Sequence, residues 1–217
     1  MKYTNNHSFT YLTSFIGMFF ALLFSFSVEA QDIHFSQFYQ APARLNPALT
    51  GKFHGGYRLA GIFLSQWVSV TVPYQTINIS GDARDFAHVG GLGAGADLFF
   101  DKAGDANLGT FSLNLSASYT FGLLENGMHH ITFGTQVGWV KKQLDPSQLV
   151  FDNSGNTSTA DFETGFSYFN INAGMVWETQ FTRRNKLQLG LAVHNLTQPT
   201  YKWFQTDENK LDLRFTV

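Results

Sequence analysis

Between Gly109 and Phe121 the chain alternates without a break. Phe111, Leu113, Leu115, Ala117, Tyr119 and Phe121 fall on one set of positions, and Thr110, Ser112, Asn114, Ser116, Ser118 and Thr120 on the other. Successive side chains of a β-strand point to opposite faces, so this segment is a strand with one greasy face and one hydroxylated face. About thirteen residues at about 3.4 Å each also outrun the usual soluble strand.

The same period-two grammar recurs along the chain, where helical periodicity does not. Segment 57–67 groups Tyr57, Leu59, Gly61 and Phe63, and segment 74–81 alternates Ile77 and Ile79 with Asn78 and Ser80. Segment 89–100 sets Leu92, Ala94, Ala96 and Leu98 against Gly91, Gly93, Gly95 and Asp97. Segments 128–141, 168–178 and 186–195 repeat the pattern, with Thr132, Gly134, Gln136, Asn170, Asn172, Gly174, Gln188 and Gly190 on their polar positions. An eighth strand opens at Leu211, where Leu213, Phe215 and Val217 oppose Asp212, Arg214 and Thr216. The reading is an all-β, antiparallel barrel.

A soluble barrel turns its apolar face inward, whereas an outer-membrane barrel turns it to lipid. Only 14% of the residues are charged, against roughly 25% in an average soluble protein. The polar positions are Ser, Thr, Asn, Gln and Gly, with few of the Lys and Glu that coat a watery surface. Aromatics gather near strand ends: Tyr57, Trp67, Tyr74, Phe99, Phe100, Tyr119, Phe121, Trp139, Tyr168, Phe169 and Trp177. Transmembrane barrels carry such girdles at both interfaces, and Tyr57, Trp67, Tyr119, Trp139 and Trp177 are the candidate membrane-interface residues. The alternative is a secreted soluble β-barrel that fills its core with the same aromatics and binds an apolar ligand.

The connections agree with a transmembrane barrel. The fifth (142–167) and the seventh (196–210) are long, and the even ones are short, as external loops and periplasmic turns should be. These two long loops are the candidates for contact with cargo. The eighth strand reaches Val217 after seven residues, against about nine to eleven needed to cross a bilayer, so the barrel is expected to be incomplete at its C-terminal end. Ahead of the strands, Lys2, the apolar run 15–24 and Val28-Glu29-Ala30 describe a secretory signal peptide cleaved after Ala30. Residues 31–56 then form an N-terminal periplasmic segment, and 57–217 the barrel.

Chemistry-bearing motifs are sparse. Gly91-Leu92-Gly93-Ala94-Gly95-Ala96 spells a dinucleotide fingerprint, but a strand rather than a helix follows, so the glycines read as a crowded inner wall. Asp101, Asp105, Asp152 and Asn153 lack a calcium-loop pattern and read as turn residues. His129-His130 reads as a solvated pair near a turn, and Arg183-Arg184 with Lys186 as a basic turn. No G-x-S-x-G elbow is present, and nothing aligns a base with Ser65 or His194. The expectation is therefore no enzyme, no cofactor and no metal. A net charge of −2 gives no basic field for nucleic acid. With 0 cysteines, disulfides and thiolate metal sites are excluded.

The most specific stretch opens the mature chain. Phe35, Ser36, Gln37, Tyr39 and Pro42 lead into Leu45-Asn46-Pro47-Ala48-Leu49-Thr50-Gly51. This resembles the opening phrase of the PorP/SprF family, and the matching residues are Phe35, Ser36, Gln37, Tyr39, Pro42, Leu45, Asn46, Pro47 and Gly51. Tyr57-Arg58-Leu59 and Gln66-Trp67 look like that family's first strand; beyond this only strand grammar matches. The resemblance implies an outer-membrane barrel of the type IX secretion system of the Bacteroidota. Its implied partners are other components of that system and cargo such as gliding adhesins, for secretion or surface attachment, with outer-membrane lipid around it. From the residues themselves, Pro42 and Asn46-Pro47 break regular structure, and the segment is expected to fold against or plug the barrel mouth. Two other functions stay open: a small porin or solute channel, and the soluble ligand-binding barrel.

Overall fold

The computed structural model describes residues 40–69, 73–104, 108–123, 128–145, 163–182, 185–203 and 209–217. Seven long strands follow one another: β1 (Tyr57–Gln66), β2 (Tyr74–Ala83), β3 (Leu92–Ala103), β4 (Leu108–Gly122), β5 (His129–Gln143), β6 (Gly165–Gln180) and β7 (Lys186–His194). A two-residue hairpin, β8 (Thr200–Tyr201) with β9 (Asn209–Lys210), precedes β10 (Arg214–Thr216). The main sheet has eight strands in the order β1-β2-β3-β4-β5-β6-β7-β10, every neighbour antiparallel. The chain thus folds as the all-β antiparallel meander its alternation predicts. Among the described residues no ladder joins β1 to β10, so the sheet is not closed by hydrogen bonds.

The faces are inverted relative to a soluble protein. On β4, Ser112, Asn114, Ser116 and Ser118 are buried while Leu113, Leu115 and Tyr119 are exposed. Thr132 and Gln136 on β5 and Asn172 on β6 continue the buried polar face. Leu59, Leu115 and Phe169 stand 87%, 60% and 68% exposed on the other. The outward side chains pack across strands: Phe100 meets Phe111 at 4.9 Å between ring centroids, and Phe111 meets Trp139 at 5.7 Å. Such pairs fix register on a face with no core beneath it.

Several boundaries differ from the sequence reading, each for a local reason. Segment 89–100 is displaced to Leu92–Ala103, because Gly91 adopts φ +81° and its N–H bonds the Asp85 carboxylate at 2.8 Å, completing a turn. A side chain at Gly91 would strike the Thr120 carbonyl oxygen at 2.9 Å. The last strand spans Arg214–Thr216 and does not open at Leu211. Asn195 (φ +62°) and Gln198 (φ +41°) turn the chain, and the Asn195 amide holds the Asp212 carbonyl at 3.0 Å, so pairing with β7 starts only beyond that bond. Within connection 196–210 the β8–β9 hairpin forms, where sequence predicts only a loop. Three of the eleven strand-end aromatics fall on inward positions: Phe99, buried at 4%, Tyr168, in line with buried Asn172, and Tyr74, in line with buried Thr76 and Asn78.

Because every neighbour is antiparallel, the odd connections share one end of the sheet and the short even ones, 84–91, 123–128 and 181–185, share the other. Both long connections, 144–164 and 195–213, lie at the first end. Residues 146–162 of the fifth connection lie outside the described residues, as do the signal segment 1–30, Asp105, Asp152, Asn153, Arg183 and Arg184.

Candidate functional site

The site is built by the chain that precedes β1. Pro42–Leu45 makes a one-turn helix, α1, with proline at its first position, where a missing N–H costs nothing. Asn46 follows in an extended conformation (φ −154°, ψ 120°), as the residue before a proline must. Its side chain accepts a hydrogen bond from the Ala48 N–H at 2.9 Å and so caps a 3₁₀ turn over Pro47–Leu49. The Asn-Pro pair therefore ends one turn and starts the next within a single residue.

This double turn is seated on the polar face of the sheet. The Asn46 amide donates to the Met175 and Leu191 carbonyls, each at 3.2 Å. Thr50 donates to the Ser116 hydroxyl at 3.0 Å and its carbonyl accepts from Ser118 at 2.6 Å. The Gly51 N–H reaches Asp82 at 2.7 Å, and that carboxylate is forked by Arg58 at 2.8 and 2.6 Å. Arg44 donates to Asp97 at 2.8 Å and to Ser112 at 2.7 Å, with its guanidinium 4.0 Å over the Phe99 ring. Burial draws the Arg44 pKa below its ordinary value, and the charge and hydrogen bond of Asp97 oppose that shift. The guanidinium stays cationic. His194 meets the Leu45 carbonyl at 3.3 Å.

These contacts run from β1 to β7. Seven flat strands spaced by about 4.8 Å would spread over about 29 Å, which residues 44–51 in compact turns could not touch at once. The sheet is accordingly curled around the segment. Ala48, Thr50 and Asn46 are 0%, 1% and 4% exposed, the depth of a core rather than of a lead-in.

Glycines on the strands make the recess. A methyl group at Gly134 would strike the Pro47–Ala48 backbone, and one at Gly174 the Asn46 side chain. At Gly93 it would lie 2.5 Å from both the Thr50 carbonyl oxygen and the Ser118 hydroxyl, and at Gly95 3.1 Å from the Thr50 methyl. The run Gly91–Ala96 is therefore wall, not a phosphate loop. Gly51 itself has φ +71° and lies where a Cβ would sit 2.8 Å from Gly93 Cα.

Past Gly51 the short-turn mouth opens into a cavity of about 800 Å³. Lys52 crosses its wall to pair with Glu178 and donates to Thr132 at 2.9 Å. Lys186 pairs with the same carboxylate from the rim. His130 points into this cavity, whereas His129 turns out to stack on Trp177 at 6.4 Å, so the two neighbours do not form the solvated pair read from sequence. Among the described residues no three His, Asp or Glu side chains come together to hold a metal.

A family model described as type IX secretion system membrane protein PorP/SprF matches residues 27–217. The chain belongs to the PorP/SprF family. Comparison with curated proteins and with solved structures finds no match. Of the PorP/SprF phrase, Pro42, Leu45, Asn46, Pro47 and Gly51 all lie in the seated segment, and Phe35, Ser36, Gln37 and Tyr39 lie outside the described residues.

In this PorP/SprF chain the five candidate interface aromatics fall at both ends of the sheet. Tyr57, Tyr119 and Trp177 stand toward the short turns, and Trp67 and Trp139 toward the long connections. Tyr57 and Trp67 are the most exposed, at 86% and 63%. Sequence reasoning missed the charged residues that hold the segment: Arg44, Lys52, Arg58, Asp82, Asp97 and Glu178. A signal existed for the acids. Asp97 and Glu178 fall on the polar positions of strands that are otherwise almost uncharged.

Proposed function

We propose that this chain is an outer-membrane β-barrel of the type IX secretion system that holds cargo, such as a gliding adhesin, during secretion or surface attachment. The observation that carries the reading is the union of two features in one sheet. An apolar exterior suits lipid, and the described part of the family phrase, Pro42 to Gly51, fills the interior, where a solute channel would be open. Tyr57, Trp67, Tyr119, Trp139 and Trp177 would sit at the two lipid–water boundaries. Residues 1–30 would be removed after Ala30, leaving residues 31–56 entering from the periplasmic side with 42–51 seated inside, the short turns on that side and the long connections outside. Binding and passage are the whole task in this reading, with no chemical step.

The porin alternative has its own support in the Ser, Thr and Asn wall, and the soluble barrel has none in the exposed Leu59, Leu115 and Phe169. Affinity purification from detergent-extracted outer membranes of cells carrying a tagged full-length chain tests the proposal. Co-purification of other secretion components and a surface adhesin is expected. Recovery of the tagged chain from the cytosolic or soluble periplasmic fraction, or from the outer membrane without any of those partners, overturns it.

A further inference from the structure

The cavity at the short-turn mouth has an unbalanced charge. Glu178, with its side chain 9% exposed, is one carboxylate shared by two ammonium groups, Lys52 and Lys186. The other acid on the wall, Asp85, is held by Arg84 at 3.4 Å and by the Gly91 N–H at 2.8 Å. One positive charge is left uncompensated among the described residues, and the imidazoles of His54 and His130 line the same space. Lys186 is the group free to receive a ligand: its side chain is 57% exposed and a single ion pair occupies one of its three donors. Lys52, 13% exposed, is already engaged by Glu178 and Thr132 and sets the potential from behind.

We propose that this mouth binds a carboxylate-bearing peptide segment of a partner protein, with Lys186 as the primary contact. A second carboxylate beside Glu178 would bring the cluster to two cations and two anions. The size and lining of the cavity favour a carboxylate carried on a peptide over a free phosphate. Among the described residues the nearest paired guanidinium is Arg58, forked on Asp82, and Arg84 meets Asp85 at 3.4 Å; a free phosphate would fill little of the space and leave its apolar wall unused. About 800 Å³ exceeds what one small anion needs and falls within the range of sites that enclose several residues of a ligand. Phe53 and Met128 on the wall offer apolar contact, and the Asn185 and Gln188 amides offer hydrogen bonds suited to a peptide backbone. The site stands apart from the cargo reading, because it is a property of the isolated chain.

The test uses the full chain in detergent micelles and a fluorescein-labelled tetraglutamate peptide, followed by fluorescence anisotropy. Saturable binding is expected, displaced by unlabelled tetraglutamate, not by tetralysine, and weakened by added salt. Lys186→Gln should weaken it about tenfold or more, while Lys102→Gln, at the far end of β3, should leave it unchanged. Lys186 is a rim residue, so its replacement spares the fold even if that of Lys52 does not. Absence of saturable binding overturns the proposal. So does equal binding by Lys186→Gln, or displacement by inorganic phosphate as effective as displacement by tetraglutamate.

Discussion

Asn46 satisfies three partners at once: the Ala48 N–H and the Met175 and Leu191 carbonyls, all within 3.2 Å and in a site 4% exposed. Removing a side chain that leaves buried polar groups unpaired costs about 1–3 kcal/mol. Asn46→Ala should therefore lower unfolding stability by roughly that amount, read as the midpoint of denaturant-induced loss of β-signal in micelles. Asn46→Asp should cost about as much, since it keeps the acceptor for Ala48 but loses both donations to the strands. A pair of glycines separates space from conformation. Gly134→Ala drives a methyl group into the Pro47–Ala48 backbone, whereas Gly61→Ala on β1 meets nothing within 4 Å. The first should unseat the segment, seen as protease cleavage within residues 40–51, and the second should cleave no faster than the parent chain. At this scale the sequence was partly legible. Asn46-Pro47 stood out as a break in regular structure, and Gly93 and Gly95 as inner wall. That Arg44 would find Asp97 across the sheet was not legible, because the pairing depends on how far the sheet curls, which no local pattern encodes.

The strands were the most legible elements, because one polar face and one apolar face make a one-residue slip costly along the whole length. What escaped was where they stop. Gly91 and Asn195 end or delay pairing through positive φ and a side-chain bond to a distant backbone group, and neither interrupts the alternation that marks a strand. The β8–β9 hairpin escaped because two residues per strand carry no period. The ladders also differ in depth. β4 and β5, each 15 residues long, are paired along both edges for most of their length, and the 16-residue β6 along nearly all of its β5 edge and half of its β7 edge, while β10 contributes three residues to one neighbour. Amide exchange follows local opening, which is cheapest where few bonds must break. Hydrogen–deuterium exchange of the chain in micelles should leave Ser112–Ser118 and Thr132–Val140 protected longest, and should label Thr200–Tyr201 and Arg214–Thr216 first. Protection of β10 equal to that of β5 would mean that its outer edge is covered in solution.

For the whole molecule the deciding quantity is what fills the curled sheet. A closed eight-stranded barrel encloses an interior just wide enough for side chains; here no ladder closes the described sheet, and residues 41–51 lie in its curl, with Ala41, Asn46, Ala48 and Thr50 all under 5% exposed. A lumen filled in this way should pass almost no ions. Reconstituted into a planar bilayer, the chain is expected to be nearly silent, and regular porin-like steps would favour the solute-channel reading instead. A silent barrel could also be one that failed to insert, so a second state is needed. The segment is seated by hydrogen bonds and ion pairs rather than by apolar packing, and water can replace such contacts as the segment leaves. Arg44→Ala removes the segment's ion pair with Asp97, 3% exposed, and leaves that carboxylate only the Asn114 amide at 2.9 Å, a change that costs up to about 3–5 kcal/mol. Brief conducting bursts should follow. The chain has no cysteine of its own, and the Thr50 and Ser116 hydroxyls lie 3.0 Å apart, close enough for cysteines to bridge with little backbone movement. With Thr50→Cys and Ser116→Cys added to Arg44→Ala, oxidation should abolish the bursts and reductant should restore them. Bursts that persist in the oxidised protein would place the conducting path somewhere other than beneath this segment.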